Sequence, residues 1–461
     1  MEKHKRRHRS AESAKEPERS IFSRLIFFLL CAMPVLSAIA YGAVDIWATS
    51  LLAVFSAALV VLWIKDAWRE KEFQFSSSTL QLPVLGLILI GFVQLLPIGN
   101  AGLSPDLLSV PAVTSISQDP YATRFFLIRL VILFLFFSAA LTYIDSHGRI
   151  RKTVLMVIIF GAAMAFFGIL QRLASTEAII YGLRPTPQAI PFGSFVNQHH
   201  FAALMEMTAG LTVGLLLGGA VKKDKNALLG IAAVLMGIAV ILTGSRGGLL
   251  SFLGVIGFVL AARIFTKNDE STESVSSTSK LGLIAGGAAL ILIVAGTVLY
   301  LGGADQLLRG VGLQVNQGDI TNGRFHFWNI ALQIFFANPI LGAGFDAFAV
   351  AFSRYDTWNG VFRVEQAHND YLQTLADAGI LGFACIAAFI FLLFKRSLTV
   401  VNEESDPFRK STMVGALAGC FGILIHSFFD FPIRTPSNAF FFLLLVVLAT
   451  ISVGQSKKEK I

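Results

Sequence analysis

Residues 123–144 read TRFFLIRLVILFLFFSAALTYI. As a helix rising about 1.5 Å per residue, this run is long enough to cross a hydrocarbon core of roughly 30 Å. Its apolar residues are continuous rather than alternating, so it does not read as a strand of a membrane barrel. The pattern recurs in both directions. Residues 79–99 and 152–171 flank it, and further runs lie at 21–42, 45–64, 199–221, 226–244, 248–265, 281–301, 379–395, 411–429 and 437–454. The expectation is an all-α polytopic membrane protein with about twelve transmembrane helices. With 55% hydrophobic and only 14% charged residues among 461, the chain is too apolar for a soluble globular protein.

The formal charge of +8 does not indicate nucleic acid, because the basic residues lie mostly in short loops beside the apolar runs. An inside N-terminus puts the basic tail at 1–20 (Lys3, Lys5, Arg6, Arg7, Arg9) and the tail at 455–461 on the inner side, with every lysine inside or at an inner edge. That bias predicts a multi-pass protein of a bacterial inner membrane with both termini cytoplasmic. Between the tails, 21–301 carries the first set of spans, 302–378 is a large periplasmic loop with short helices, and 379–454 carries the last spans. The inner loop 266–280, rich in Ser and Thr, reads as a flexible linker. Ala38-Ile39-Ala40 resembles a signal-peptidase site, but the run before it is long for a signal sequence and is read as a retained span. Cys31, Cys385 and Cys420 all fall in apolar runs, which supports neither a disulfide framework nor a zinc site.

The outward positive charges are all arginine: Arg124, Arg129, Arg172, Arg184, Arg246, Arg309, Arg324, Arg354, Arg363 and Arg434. Arginine offers a planar fork that grips phosphate or carboxylate with paired hydrogen bonds, whereas lysine is a point charge. Anchoring at lipid headgroups is the plainer role for Arg184, Arg309 and Arg354.

Five clusters concentrate the outward polar residues. Gln171-Arg172 closes one span, and Asn197, His199 and His200 lead into the next. Glu206 lies two turns further on, on the face of His199. An ionisable group inside a span is a functional candidate; the alternative is a Glu that pairs with Arg or His and only locks helices together. Thr243-Gly244-Ser245-Arg246-Gly247-Gly248 reads as a tight turn whose glycines let a ligand approach the backbone, and Arg246 there suits a phosphate. Asn322-Gly323-Arg324 opens a helix that Asn338-Pro339 ends, with Phe325, Trp328, Leu332 and Phe335 at helical spacing, as in an amphipathic helix lying in the interface. Arg324 stands in its first turn, where free N–H groups and the helix dipole suit an anion. In Gln366 to Gln373, His368 stands beside Asp370 with Glu365 near, and a histidine there can accept a proton near neutral pH. A related group, His426, Asp430 and Arg434, suits ion-pair anchoring and function equally. No Asp-x-Asp motif occurs and no outer His/Asp/Glu set has metal spacing, so no metal is expected. Arginines would then supply the charge stabilisation.

In this order the segments resemble the O-antigen ligase family and its polymerase relatives, over roughly residues 120–450. The resemblance is carried by Gly193-Ser194-Phe195-Val196-Asn197 with Phe201-Ala202, by Ser245-Arg246-Gly247-Gly248, and by Gly323-Arg324 followed by Asn338-Pro339 and Gly342/Gly344. His368-Asn369-Asp370-Tyr371-Leu372 and His426 with Asp430-Phe431 complete it. It implies a GT-C-like membrane glycosyltransferase that uses neither metal, cofactor nor nucleotide sugar. The donor would be an undecaprenyl-pyrophosphate-linked glycan, and the acceptor a hydroxyl of lipid A core, of a growing glycan or of a protein. Arg246 and Arg324 would bind the pyrophosphate and His368 would act as general base at the periplasmic face. Arg172, Asn197, His199, Glu206, Asp370 and Asp430 would support them. The resemblance does not separate a ligase from a polymerase. A lipid or sugar transporter is the rival outside that class, and it would place polar groups at midplane with broken helices in repeat positions. The chain shows no internal repeat, and its arginines gather at one edge.

Overall fold

The computed structural model describes residues 19–98, 114–174, 179–186, 189–265, 277–300, 323–358, 363–452 and 458–459. Most of the basic N-terminal tail, most of the 266–280 stretch, the start of the 302–378 segment with Arg309 and Asn322, and most of the C-terminal tail lie outside the described residues. The helices are α1 (Ile21–Ile39), α2 (Ile46–Glu70), α3 (Gln81–Gln94), α4 (Pro120–Tyr143), α5 (His147–Ala174), α6 (Gln198–Gly218), α7 (Lys223–Leu242), α8 (Arg246–Phe265), α9 (Ser277–Tyr300), α10 (Arg324–Ala337), α11 (Phe348–Phe352), α12 (Asp370–Glu403), α13 (Pro407–His426) and α14 (Pro436–Thr450).

The chain is an all-α polytopic membrane protein. Among the described residues, nine helices are long and apolar enough to cross a bilayer: α1, α2, α4, α5, α6, α7, α8, α12 and α13. Three more of the expected spans fall on shorter apolar helices: α3, the Ala285–Gly296 stretch of α9, and α14. The starts follow from local chemistry. Ser20 caps α1, Asp119 caps α4 ahead of Pro120, and Asp406 caps α13 ahead of Pro407, each side chain accepting from a backbone N–H of the first turn. The peptidase-like Ala38 is fully buried, and its carbonyl accepts from Ser194 Oγ at 2.6 Å.

The centre is the pair α6 and α13, whose span windows are 89% and 78% buried against 28–50% for the rest. Glycine makes that contact possible. A Cβ on Gly214 would lie 2.3 Å from Gly415 Cα, and one on Gly210 would lie 2.5 Å from Gly419 N. In a bilayer, where apolar surface alone does not drive helices together, such small-residue seams let backbones touch. Helix α8 packs on both members. The ends of α6, α8 and α13 that carry His199, Ser245 and His426 therefore converge. At their other ends Arg263 of α8 donates to the Leu217 and Gly218 carbonyls of α6, and Arg409 of α13 pairs with Glu404 at 3.1 Å.

Helix α12 differs from the plain span expected at 379–395. It begins at Asp370 and is broken at Gly379, where φ is 63° and ψ −162°. The break exposes backbone groups that lipid could not satisfy, so another segment must bond to them. Residues 339–345 do so: Ile380 N–H donates to Pro339 O at 2.8 Å, Ala343 N–H to Ala376 O at 2.8 Å, and Gly344 N–H to Asp377 O at 3.0 Å. Gln94 of α3 ties the three pieces, donating to Leu341 O at 2.6 Å and Asp377 O at 2.8 Å while accepting from Phe345 N–H at 2.9 Å.

Helix α10 also departs from expectation. Ile330, Ala331 and Ile334 bury one face against Phe348, Phe352 and Ala376, while Phe325 and Phe336 on other faces are 66% and 73% exposed. It is apolar on both sides rather than divided into an apolar and a polar face, because one side packs on the protein.

Candidate active site

Asp430 sits in the turn after α13 with only 1% of its surface exposed. Its Oδ1 accepts from Phe431 N–H at 2.9 Å and lies 3.3 Å from His368 Nδ1 and 3.9 Å from His200 Nε2. Its Oδ2 lies 3.4 Å from Arg324 Nη2. Burial pushes the Asp430 carboxyl up. The hydrogen bond from His368 and the neighbouring imidazoles of His199, His368 and His200 outweigh that and hold it well below the usual carboxylate range. Asp430 is therefore an anion that draws Arg324 and His368 onto one point.

His368 precedes α12, whose first turn Asn369 caps by accepting from Tyr371 and Leu372 N–H. The backbone of His368 is left-handed, with φ at 52°, a conformation that costs a residue with a Cβ and is kept where the surroundings demand it. Its ring stands edge-on to Phe431, with centroids 5.0 Å apart, and is 31% exposed. Of the acidic neighbours that the sequence leaves unranked, Asp430 is the one bonded to His368. Asp370 instead accepts from Ser427 Oγ at 2.9 Å and faces Arg434. Glu365 is exposed and lies 3.7 Å from Arg363.

Arg324 opens α10 after Gly323, whose φ of 81° and place against Trp358 both require glycine. Arg246 opens α8, and Ser245 before it accepts from Gly248 N–H at 3.1 Å. The glycines of that turn serve a different end from the one expected. A Cβ on Gly247 would lie 2.8 Å from His426 Cδ2, and one on Gly248 would lie 2.8 Å from Ala202 Cβ. They let α8 close on α6 and α13 rather than open the backbone to a ligand. The same fit sets the start of α8 against Phe429, one residue before Asp430.

Asn197 caps α6, accepting from His199 N–H at 2.8 Å. His199 Nδ1 lies 2.8 Å from Ser245 Oγ, and Glu206 is fully buried against His426 Nδ1 at 3.1 Å. His200 Nδ1 bonds Thr435 Oγ1 at 2.7 Å. Arg172 is not drawn in: it stands in the last turn of α5, where a cation suits the helix dipole. Arg184 pairs with Asp45 through both nitrogens and lies over Tyr41, a structural tie.

A second polar cluster adjoins the first. Arg434 lies 2.7 Å from Asp377, 3.5 Å from Asp346 and 3.7 Å from Asp370. Burial pulls the Arg434 guanidinium down, but the three carboxylates outweigh it and raise it. Asp346 and Asp377 escape a reading of the sequence because one lies in a loop and the other in an apolar stretch. The only signal is that Asp370 and Asp377 share a helix face at spacing seven. Among the described residues, no group of three or more His, Cys, Asp or Glu is arranged to hold a metal ion.

A bundle of this kind, with buried carboxylates marshalling arginine and histidine at one end, defines an integral membrane protein with a polar site at the rim of its spans. Residues 231–387 match the family model described as O-Antigen ligase, so the stretch from α7 into α12 is similar to that family. That stretch carries Arg246, Arg324 and His368, while Glu206 and Asp430 reach the same site from outside it. The family supports an O-antigen ligase-like or polymerase-like membrane enzyme. No curated protein matches the chain.

Proposed function

We propose that this protein is a metal-independent glycosyltransferase at the periplasmic face of a bacterial inner membrane. It would move a glycan from an undecaprenyl-pyrophosphate carrier to an acceptor hydroxyl. The observation that carries this reading is that Arg324 and His368 bind opposite oxygens of one buried carboxylate, Asp430. Glycosyl transfer through an oxocarbenium-like state has two needs, a stabilised leaving group and an activated nucleophile. Arg324 and Arg246, each at a helix start, suit the departing pyrophosphate through their forked donors and the free N–H groups there. With Nδ1 turned to Asp430, His368 has Nε2 left to take the acceptor proton, and the carboxylate favours the imidazolium that results. Asp370, Asn197 and Glu206 would act through the residues they hold, whereas among the described residues Arg172 has no contact that ties it to this centre.

The test is transfer by the purified full-length protein in detergent or nanodiscs, with a lipid-pyrophosphate glycan as donor and a saccharide acceptor. Product should form without added metal and survive chelator, and reversible loss of product on chelation would overturn the metal-free reading. The product in a deletion strain separates the two enzyme readings. Carrier-linked single repeats that never lengthen indicate a polymerase, and full-length chains that never reach an acceptor indicate a ligase.

A further inference from the structure

Beside the Asp430 centre, polar groups hold an aromatic side chain flat and leave it open on one side. Trp358 stacks on the His326 ring of α10, with centroids 4.2 Å apart and planes 6° from parallel. One carboxylate oxygen fixes both partners: Asp356 Oδ1 lies 2.9 Å from His326 Nε2 and accepts from the backbone N–H of Trp358 at 3.0 Å. Phe327 lies 5.8 Å from Trp358 and 6.3 Å from His326, so it flanks the stacked pair rather than capping it. Gly323 meets the rim of the indole, where an added Cβ would lie 2.8 Å from Trp358 Cη2. Among the described residues, His326 thus covers one face of the indole, and Phe327 and Gly323 line its edge. With 49% of Trp358 exposed, the opposite face is open.

This ring adjoins the groups assigned to the reaction. Gly323 immediately precedes Arg324, and the Phe327 ring that flanks Trp358 also stacks on His368, with centroids 6.1 Å apart. A short saccharide can therefore reach from the indole to His368. Lipid is the plainer partner for an exposed aromatic ring, but lipid asks only for bare apolar surface. Phe325 and Phe336 of α10 already present such surface, with no polar group fixing their orientation. A lipid contact gives no reason to clamp an indole with an imidazole and a carboxylate. A flat, oriented face suits a flat partner. The faces of a pyranose ring carry C–H groups with slight positive charge, and the face of an indole is the negative part of its quadrupole.

We propose that Trp358 is a saccharide-stacking subsite, holding one pyranose ring of a substrate glycan beside Arg324 and His368. This rests on the transferase reading given above and adds where the sugar lies. No bond is made or broken at Trp358: it binds substrate and takes no part in moving the proton or releasing the pyrophosphate. His326 and Asp356 act through it, by keeping the indole oriented.

Two substitutions separate stacking from simple apolar contact. Trp358→Leu keeps apolar bulk and loses the aromatic face, whereas Trp358→Phe keeps a smaller flat face. In the transfer assay with full-length protein, Trp358→Leu should raise the KM for one glycan substrate about tenfold while kcat changes by less than about threefold, and Trp358→Phe should recover most of the loss. A shift in the donor KM places the donor glycan on the indole, and a shift in the acceptor KM places the acceptor there. Leucine serving as well as tryptophan is what a lipid contact predicts, and it would overturn the proposal. A second measurement needs no turnover. Full-length protein in detergent is titrated with the saccharide acceptor, or with glycan released by mild acid from the lipid-linked donor. One of them should change the tryptophan emission, and Trp358→Phe should lose that change. Constant emission with both glycans, or the same change in Trp358→Phe, would equally overturn it. If wild-type protein bound glycan at Trp358 but transferred none, the transferase reading would fall while the subsite stood by itself.

Discussion

Arg324 and His368 meet on opposite oxygens of one buried carboxylate: Arg324 Nη2 lies 3.4 Å from Asp430 Oδ2, and His368 Nδ1 lies 3.3 Å from Asp430 Oδ1. A group meant for an anion and a group meant for a proton are thus fixed relative to each other by a third that does not itself need to touch substrate. In the transfer reaction, the distance between leaving group and nucleophile would be set by Asp430.

Asp430→Asn keeps the shape and removes the charge. Asp430 is held well below the usual carboxylate range, so its own titration lies far from neutral pH, and loss of activity on mild acidification belongs to another group. Asparagine also takes away the anion that orients His368, so kcat should fall by on the order of 10²-fold. Turnover of the purified variant checks this, and near-wild-type kcat would separate Asp430 from the base.

Arg324→Lys keeps the charge but not the fork. If Arg324 binds pyrophosphate through paired donors, lysine should not replace it, and kcat/KM for the lipid-linked donor should fall about 10²-fold, nearly as far as for Arg324→Ala. Arg246→Lys should behave alike. Full activity in the lysine variants would reduce both arginines to general positive charge.

Which of these features the sequence discloses follows from how local each is. The spans are legible because a helix in lipid satisfies its own backbone and needs only a continuous apolar run. Arg324 and His368 are legible because each stands at a helix start with a visible cap or stop. The bond from His368 to Asp430 is not, since 62 residues separate them and no local pattern pairs them. The Gly247-Gly248 turn misleads for a related reason: a glycine that lets a ligand in and one that lets a neighbouring helix in look the same until Ala202 and His426 are seen against them. Asp346 and Asp377 meet only because α12 breaks at Gly379 and admits the 339–345 segment.

Arg434 pairs with Asp346, Asp370 and Asp377 at once, and Asp377 is fully buried. Arg434→Met fills the space but strands those carboxylates, so a loss of about 3–5 kcal/mol is expected. The sign of the pH dependence is also set. The Arg434 pKa is raised in the fold, so its stabilisation is fully present below the unfolded value and persists throughout the accessible range. In the variant the carboxylates can be relieved only by taking up protons, so its deficit should shrink as pH falls. Thermal melts in detergent across pH would show this, and an equal deficit at every pH would argue against stranded charge.

Gly379→Ala tests the break in α12. With φ at 63° and ψ at −162°, the residue occupies a region essentially reserved for glycine, and its Cβ would lie 2.4 Å from Ile340 O. Backbone strain alone should cost about 1–3 kcal/mol, and the collision adds to it by pushing 339–345 away from the broken turn. That would unfasten Asp346 from Asp377 and loosen the site end of α12, so activity should fall even in molecules that stay folded. Gly342→Ala should do the same, because its Cβ would lie 2.3 Å from the backbone of Asp377 and its φ is 70°. Gly230→Ala is the control: it lies within α7 with nothing within 4 Å of the added carbon, so alanine there should be neutral or stabilise by up to about 1 kcal/mol. Melting temperature and transfer rate measured on the three variants decide the matter, and a Gly379→Ala protein as stable and active as Gly230→Ala would show that the break does not hold the site in place.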